Sequence, residues 1–225
     1  MRSAVLVQGF PAQVAGTNCW VVAPGQNEQC VVIDPGVGVA GRLSEIIAEN
    51  HLHPVAVLLT HGHLDHTFSV VPICQARDVP AYIHPADRAQ LTDPWTWLGP
   101  GAWGIFGVPG WTAAEPADVR ELSDGADLDI AGMRLRIEHA PGHSLGSVVF
   151  GADGGSARAL FSGDVLFAGS IGRTDLPGGS DADMDASLRR VVLPKADDTV
   201  VYPGHGPSTT VGQERQRNPY LRAVL

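Results

Sequence analysis

Apolar residues in this chain come in short blocks separated by turn residues. NCWVVA over Asn18–Ala23 and QCVVID over Gln29–Asp34 are β-rich and flank a Pro24-Gly25-Gln26-Asn27 turn, which predicts a hairpin. Arg42–Asn50 sets Leu43, Ile46 and Ile47 at helical spacing. VAVLLT over Val55–Thr60 is an unbroken apolar run, the pattern of a strand covered on both faces. Thr67–Arg77 reads as helix in spite of Pro72, and Ala81–His84 as a short strand. Later the pattern turns mainly β, with strands over Asp127–Ile130, Met133–His139, Ser147–Phe150 and Ala159–Ser162. A helix over Asp181–Val192, a strand over Thr199–Tyr202 and a short helix over Gly212–Arg217 complete the set. With no repeat and no low-complexity linker, these elements predict an α/β architecture in one domain over residues 1–225. Two mixed β-sheets lie face to face, with helices on both outer faces.

Composition narrows the partners. Fifteen basic residues against 24 acidic ones leave a net charge of −9, which argues against nucleic acid and against an anionic membrane surface. No apolar run approaches the ~18 residues of a membrane span, and the start of the chain has no signal-peptide pattern. Three cysteines, Cys19, Cys30 and Cys74, are odd in number, which favours a reducing compartment. The expectation is a cytoplasmic protein. None of the three has a neighbouring base in sequence, so a thiol nucleophile is not expected.

The chemistry concentrates in Thr60-His61-Gly62-His63-Leu64-Asp65-His66, directly after the apolar strand. In an extended stretch residues i and i+2 point the same way, so His61 and His63 can grip one ion. Asp65 and His66 then face a second point nearby. Three further candidates each follow a predicted strand end and a glycine: His143 after Gly142, Asp164 after Gly163 and His205 after Gly204. Ligand sites in α/β folds gather outside the carboxyl ends of strands, so all seven can converge on one rim. Seven donors suggest two cations: His61, His63 and His143 for one, Asp65, His66 and His205 for the other, and Asp164 bridging. Imidazole and carboxylate suit zinc, iron or manganese. A cation pair acidifies water toward a pKa of ~7, which supplies a hydroxide nucleophile. Asp65 and Asp164 are therefore the candidate catalytic residues, Asp65 orienting the nucleophile. His51, His53, His84 and His139 lack such company and are read as surface or core residues. Asp34 is either a turn residue or a partner of a histidine ligand, and Arg173 pairs with Asp175 or borders the site. The segment Trp95–Trp111 holds four of the five tryptophans among several glycines. It reads as a self-packed loop, an oligomer contact or a wall of an apolar substrate pocket.

THGHLDH, PGHS, FSGD and PGHG in this order resemble the metallo-β-lactamase superfamily over residues 15–220. The resemblance implies its αββα sandwich, a two-metal site and the roles given above. FSGDVLFAGSIGRTD and YPGHGPSTTVGQERQRNPYL most resemble the glyoxalase II-like (hydroxyacylglutathione hydrolase-like) hydrolases. That likeness implies cleavage of small-molecule S-D-lactoyl thioesters to D-lactate and thiol, with zinc the first expectation and iron or manganese the alternatives. Only twenty residues follow His205, so the chain resembles a short branch without the glutathione-holding C-terminal region of glyoxalase II proper. Asp164 sets it apart from true metallo-β-lactamases. The alternatives within the resemblance are a persulfide dioxygenase with a single iron, and a lactonase or other ester hydrolase. Oligomeric state is left open.

Overall fold

The computed structural model describes residues 5–98, 102–107, 111–153 and 158–225. The continuous apolar runs form strands because both of their faces are buried. In β2 (Asn18–Ala23) Cys19, Val21 and Ala23 point to one side and Trp20 and Val22 to the other. In β3 (Gln29–Ile33) Cys30 and Val32 alternate with Val31 and Ile33 in the same way. With β1 (Leu6–Pro11), β4 (His53–Leu58), β5 (Ala81–Ile83) and β6 (Val119–Glu121) they form a six-stranded sheet in chain order. The first two pairings are antiparallel and the last three parallel.

A second six-stranded sheet contains β7 (Asp127–Ile130), β8 (Met133–His139), β9 (Val148–Asp153), β10 (Arg158–Gly163), β11 (Val200–Pro203) and β12 (Thr209–Thr210). Its β10–β11 pair is parallel and the rest antiparallel, so both sheets are mixed.

Three apolar layers hold the sandwich together. The inner one packs Val31, Ile33 and Leu58 of the first sheet against Leu135, Phe150 and Phe161 of the second. Each fully buried side chain of this size contributes about 1.5–3 kcal/mol of transfer free energy. On one outer face α1 (Ala40–Glu49) and α3 (Val70–Arg77) bury Leu43, Ile46, Val70 and Ile73. On the other, Met184 of α6 (Asp181–Ser187) joins Leu188 and Val191 of the π-helical turn Leu188–Val192. Val211 of α7 (Val211–Arg217) and Leu221 of α8 (Pro219–Ala223) complete that layer. The αββα arrangement is as expected.

Several local expectations are corrected. The helix expected over Thr67–Arg77 begins earlier and is broken: α2 spans Leu64–Thr67 and α3 starts at Val70. Ser69 at the break donates Oγ–H to Gly36 O (2.6 Å) and N–H to Pro35 O (2.9 Å), bonds that outcompete a continuous helical ladder. Strands β1 and β6 were not expected. Both lie at sheet edges, where half-exposed residues weaken the apolar signal. The tryptophan segment carries two short helices, α4 (Trp95–Leu98) and α5 (Ala102–Phe106), instead of a loop. Trp95, Leu98, Phe106 and Trp111 pack with Leu64 and Phe68, and the Phe68 and Trp111 rings stack at 4.9 Å. Residues 99–101 and 108–110 of that segment lie outside the described residues. Among the described residues no helix is long and apolar enough to cross a membrane.

Candidate metal centre

All seven predicted residues meet at one end of the sandwich, where β4, β8, β10 and β11 finish. His61 and His63 leave β4; Asp65 and His66 lie on α2; His143, Asp164 and His205 follow β8, β10 and β11. Donor atoms of His61, His63 and His143 all lie within 4.8 Å of one another, as do those of Asp65, His66 and His205, and of His61, His66 and Asp164. Asp164 faces both halves. Its Oδ1 is 3.3 Å from His66 Nε2, and its Oδ2 is 3.4 Å from His143 Nε2 and 3.5 Å from His205 Nε2. Gly204 makes this convergence possible, since a Cβ there would sit 2.2 Å from Asp164 Oδ1.

The imidazoles are aimed from behind. His66 Nδ1–H donates to Asp34 Oδ2 at 2.9 Å, His61 Nδ1 meets Thr60 Oγ1 at 3.1 Å, and His143 Nδ1–H donates to Arg173 O at 2.7 Å. A ring whose Nδ1 carries the donated proton presents a lone pair at Nε2, the form a cation needs. Asp34 also accepts from the Thr60 N–H (2.8 Å) and hydroxyl (2.6 Å). Of its two sequence readings, partner of a histidine is therefore the one its contacts match. Thr17 Oγ–H donates to Asp65 Oδ2 at 2.8 Å, and the same oxygen lies 3.2 Å from His205 Nε2. Asn18 secures the loop that carries His205 by donating Nδ2–H to Pro203 O (3.0 Å) and Gly206 O (2.8 Å).

Thr17, Thr60 and the Arg173 carbonyl escaped sequence reasoning, because hydroxyls and a backbone oxygen carry no signature in one sequence. The Arg173 guanidinium instead pairs with Asp175 at 2.6 Å on the exposed surface. His84 and His139 stack on each other at 4.1 Å, outside the cluster. Cys19, Cys30 and Cys74 are all buried and unpaired, and burial pushes the Cys30 and Cys74 thiols up to about 12 and the Cys19 thiol well above its ordinary value.

The electrostatics divide the centre in two. Burial drives His61 well below its ordinary value, and neighbouring His66 and His143 add to it. Burial likewise pulls His63 down to about 3, with His143 contributing. His66 goes the other way. Burial opposes its charge, but Asp65, Asp164 and Asp34 outweigh burial and hold it well above its ordinary value. Asp65 and Asp164 stay below the ordinary carboxylate range although burial works against them, since His66 with His205 or His143 outweighs it.

Six buried side-chain atoms lack a hydrogen-bond partner among the described residues, and four belong to this cluster: Nε2 of His61, His63 and His66, and Oδ1 of Asp164. Buried polar atoms seldom stay unpaired. Orphaned buried atoms on residues whose ligand atoms lie within 4.8 Å of one another in each group, together with carboxylates, fit divalent cations with borderline or hard preferences.

A family model for the metallo-beta-lactamase superfamily matches residues 12–205. The hydroxyacylglutathione hydrolase GloC of Haemophilus influenzae is 34% identical over 217 residues, which cover 96% of this chain and 98% of that protein. Among solved structures, the BLEG-1 B3 metallo-beta-lactamase matches with a TM-score of 0.84 at 36% identity, over 96% of this chain and 99% of that one. TTHA1623, solved in a di-iron-bound form, matches with a TM-score of 0.77 at 37% identity, over 94% and 99%.

Proposed function

The chain belongs to the metallo-beta-lactamase superfamily of metal-dependent hydrolases, and on that premise we propose that it is a two-metal thioester hydrolase acting on S-D-lactoyl or related thiol conjugates. The observation that carries the two-metal part is the position of Asp164, whose two oxygens face histidines of both halves. His61, His63 and His143 would hold one divalent ion, Asp65, His66 and His205 the other, with Asp164 shared. When bound, such a pair supplies Lewis acidity, which lowers the pKa of water toward ~7 and offsets negative charge on a carbonyl oxygen.

The protein's own groups do the rest. Asp65, kept ionised and steadied by Thr17, accepts a hydrogen bond from the attacking water and aims it at the acyl carbon. The water oxygen bonds to the acyl carbon, the adduct collapses with cleavage of the carbon–sulfur bond, and one proton of the water leaves on the thiol while the other passes to solvent, which gives carboxylate and thiol. Asp34, Thr60 and the Arg173 carbonyl keep the imidazoles in register while charge moves. The thioester class is supported by the similarity to GloC across nearly the full length of both chains.

A second reading, β-lactam hydrolysis, is favoured by the likeness to BLEG-1, which runs against the expectation drawn from Asp164 that the chain stands apart from metallo-β-lactamases. One experiment separates the readings. Protein loaded in turn with zinc, iron and manganese is assayed for thiol release from S-D-lactoylglutathione and a panel of lactoyl and acyl thioesters, for opening of a chromogenic cephalosporin, and for O₂ uptake with glutathione persulfide. Thiol release with two ions per chain is the expected result. Turnover confined to the cephalosporin, or O₂ uptake with one ion per chain, overturns the thioester assignment.

A further inference from the structure

Asp87 lies in the 3-10 helix Pro85–Leu91 that follows β5, and it is fully buried. Its carboxylate accepts three hydrogen bonds. Oδ2 takes the Gly62 N–H at 2.8 Å and the Ser144 hydroxyl at 2.6 Å, and Oδ1 takes the Gly146 N–H at 2.7 Å. Gly62 stands between His61 and His63, and Ser144 and Gly146 come one and three residues after His143. One carboxylate thus fastens together the two loops that carry the three-histidine set. The contact between those loops nearest the centre is His63 Nδ1 to His143 Nε2, at 2.8 Å.

All three partners are neutral donors. Sealing a carboxylate from water without a counter-ion is unfavourable, and apolar packing joins two loops at least as well. What three directed hydrogen bonds add is orientation. They fix the rotation of the peptide planes at Gly62 and Gly146, and with them the direction in which the flanking imidazoles project. The fit is close on both sides: a Cβ at position 146 would lie 2.7 Å from Asp87 Cγ, and one at position 62 would lie 2.8 Å from the Asp87 carbonyl oxygen.

We propose that Asp87 is a positioning residue for the three-histidine half of the centre, acting through Gly62, Ser144 and Gly146 to set the affinity of His61, His63 and His143 for a divalent ion. The role rests on the two-metal reading above. Asp34 has the corresponding place behind His66 in the other half.

The test is metal affinity and Co²⁺ spectroscopy. Wild type, D87N, S144A and D34N are stripped, melted without metal, and titrated with Zn²⁺ against a chromogenic chelator; each is then loaded with Co²⁺ and its visible spectrum recorded. D87N is expected to weaken one of two ions by about 10–100-fold, the range for outer ligand partners, and to alter the bands of that ion alone. S144A, which removes one bond of three, moves the same ion by less, and D34N, whose side chain holds His66 directly and His61 through Thr60, moves both ions. If metal-free D87N fails to fold, S144A carries the comparison. Two outcomes overturn the role: wild-type affinities and spectra in both D87N and S144A, or equal weakening of both ions in step with lost metal-free stability. Wild-type protein that takes up fewer than two ions overturns the two-metal reading instead.

Discussion

Asp34 Oδ2 and His66 Nδ1 meet at 2.9 Å with both side chains sealed from solvent, one at the end of the third strand and the other 32 residues later on the second helix. The contact turns the His66 ring so that its other nitrogen points at Asp164. Asp34 adopts φ 52, a left-handed conformation that a non-glycine residue holds only where its surroundings dictate it. Its bonds to Thr60 and His66 are those surroundings.

Replacing Asp34 with alanine strands the Thr60 amide and the His66 ring. Each unmet buried donor costs about 1–3 kcal/mol, so chemical denaturation should register a loss of at least that size. Chelator competition should register a drop of about 10–100-fold in the affinity of the ion nearest His66. Unaltered metal affinity in D34A contradicts the pairing as a determinant of the site.

Asp164→Ala removes a side chain whose two oxygens face histidines of both halves. Elemental analysis should find one ion or none per chain, and hydrolysis should fall by more than the ~100-fold typical of outer-shell partners. Wild-type turnover by D164A defeats the bridging role.

Acid should destabilise the metal-free protein in a defined window. An unfolded histidine titrates near ~6.5, whereas folded His63 titrates at about 3. Between these values the unfolded chain binds more protons, so stability falls as pH falls and the loss levels off near the lower one. Asp65 and Asp164, both depressed, act in the same direction below the ordinary carboxylate range. His66, raised, contributes fully below ~6.5 and loses its share only as pH rises through its folded value. Melting temperatures measured from pH 7 to 3.5 should therefore decline, and H63Q should flatten the slope between pH 6.5 and 4. An H63Q slope equal to wild type rules out His63 as a source.

Asn218 binds the end of the chain to the site. Its Nδ2–H donates to Ser170 O at 2.9 Å and to Glu214 Oε2 at 3.0 Å, while Oδ1 accepts from the Tyr220 N–H at 3.0 Å. The loop it holds includes Phe167, whose ring meets His205 edge-on at 5.9 Å. N218A should cost about 1–3 kcal/mol in denaturant unfolding, as a lost cap and unmet buried partners. It should also raise KM more than it lowers kcat.

His139→Ala is the contrasting case. His139 stacks on His84 and donates to or accepts from no residue of the cluster. Metal content should stay at the wild-type value, and loss of an ion in H139A means that the set of seven is wrong.

The sequence by itself determined the sandwich and the cluster. Strands such as Val55–Thr60 are legible because a strand covered on both faces must be apolar at every position. The histidines and aspartates are legible because His61, His63, His143, Asp164 and His205 each stand beside a glycine at alternating or strand-terminal positions, and Asp65 and His66 follow in the same dense run, a pattern that serves little else. The tertiary structure alone decided the break at Phe68–Ser69, the helices of the tryptophan segment, and the support from Thr17, Thr60, Asp87 and the Arg173 carbonyl. Those features depend on groups brought together from 25 to 59 residues apart by packing. A hydroxyl, a backbone oxygen or a lone carboxylate looks the same in a sequence whether it faces water or a histidine, and only the closed sandwich determines which.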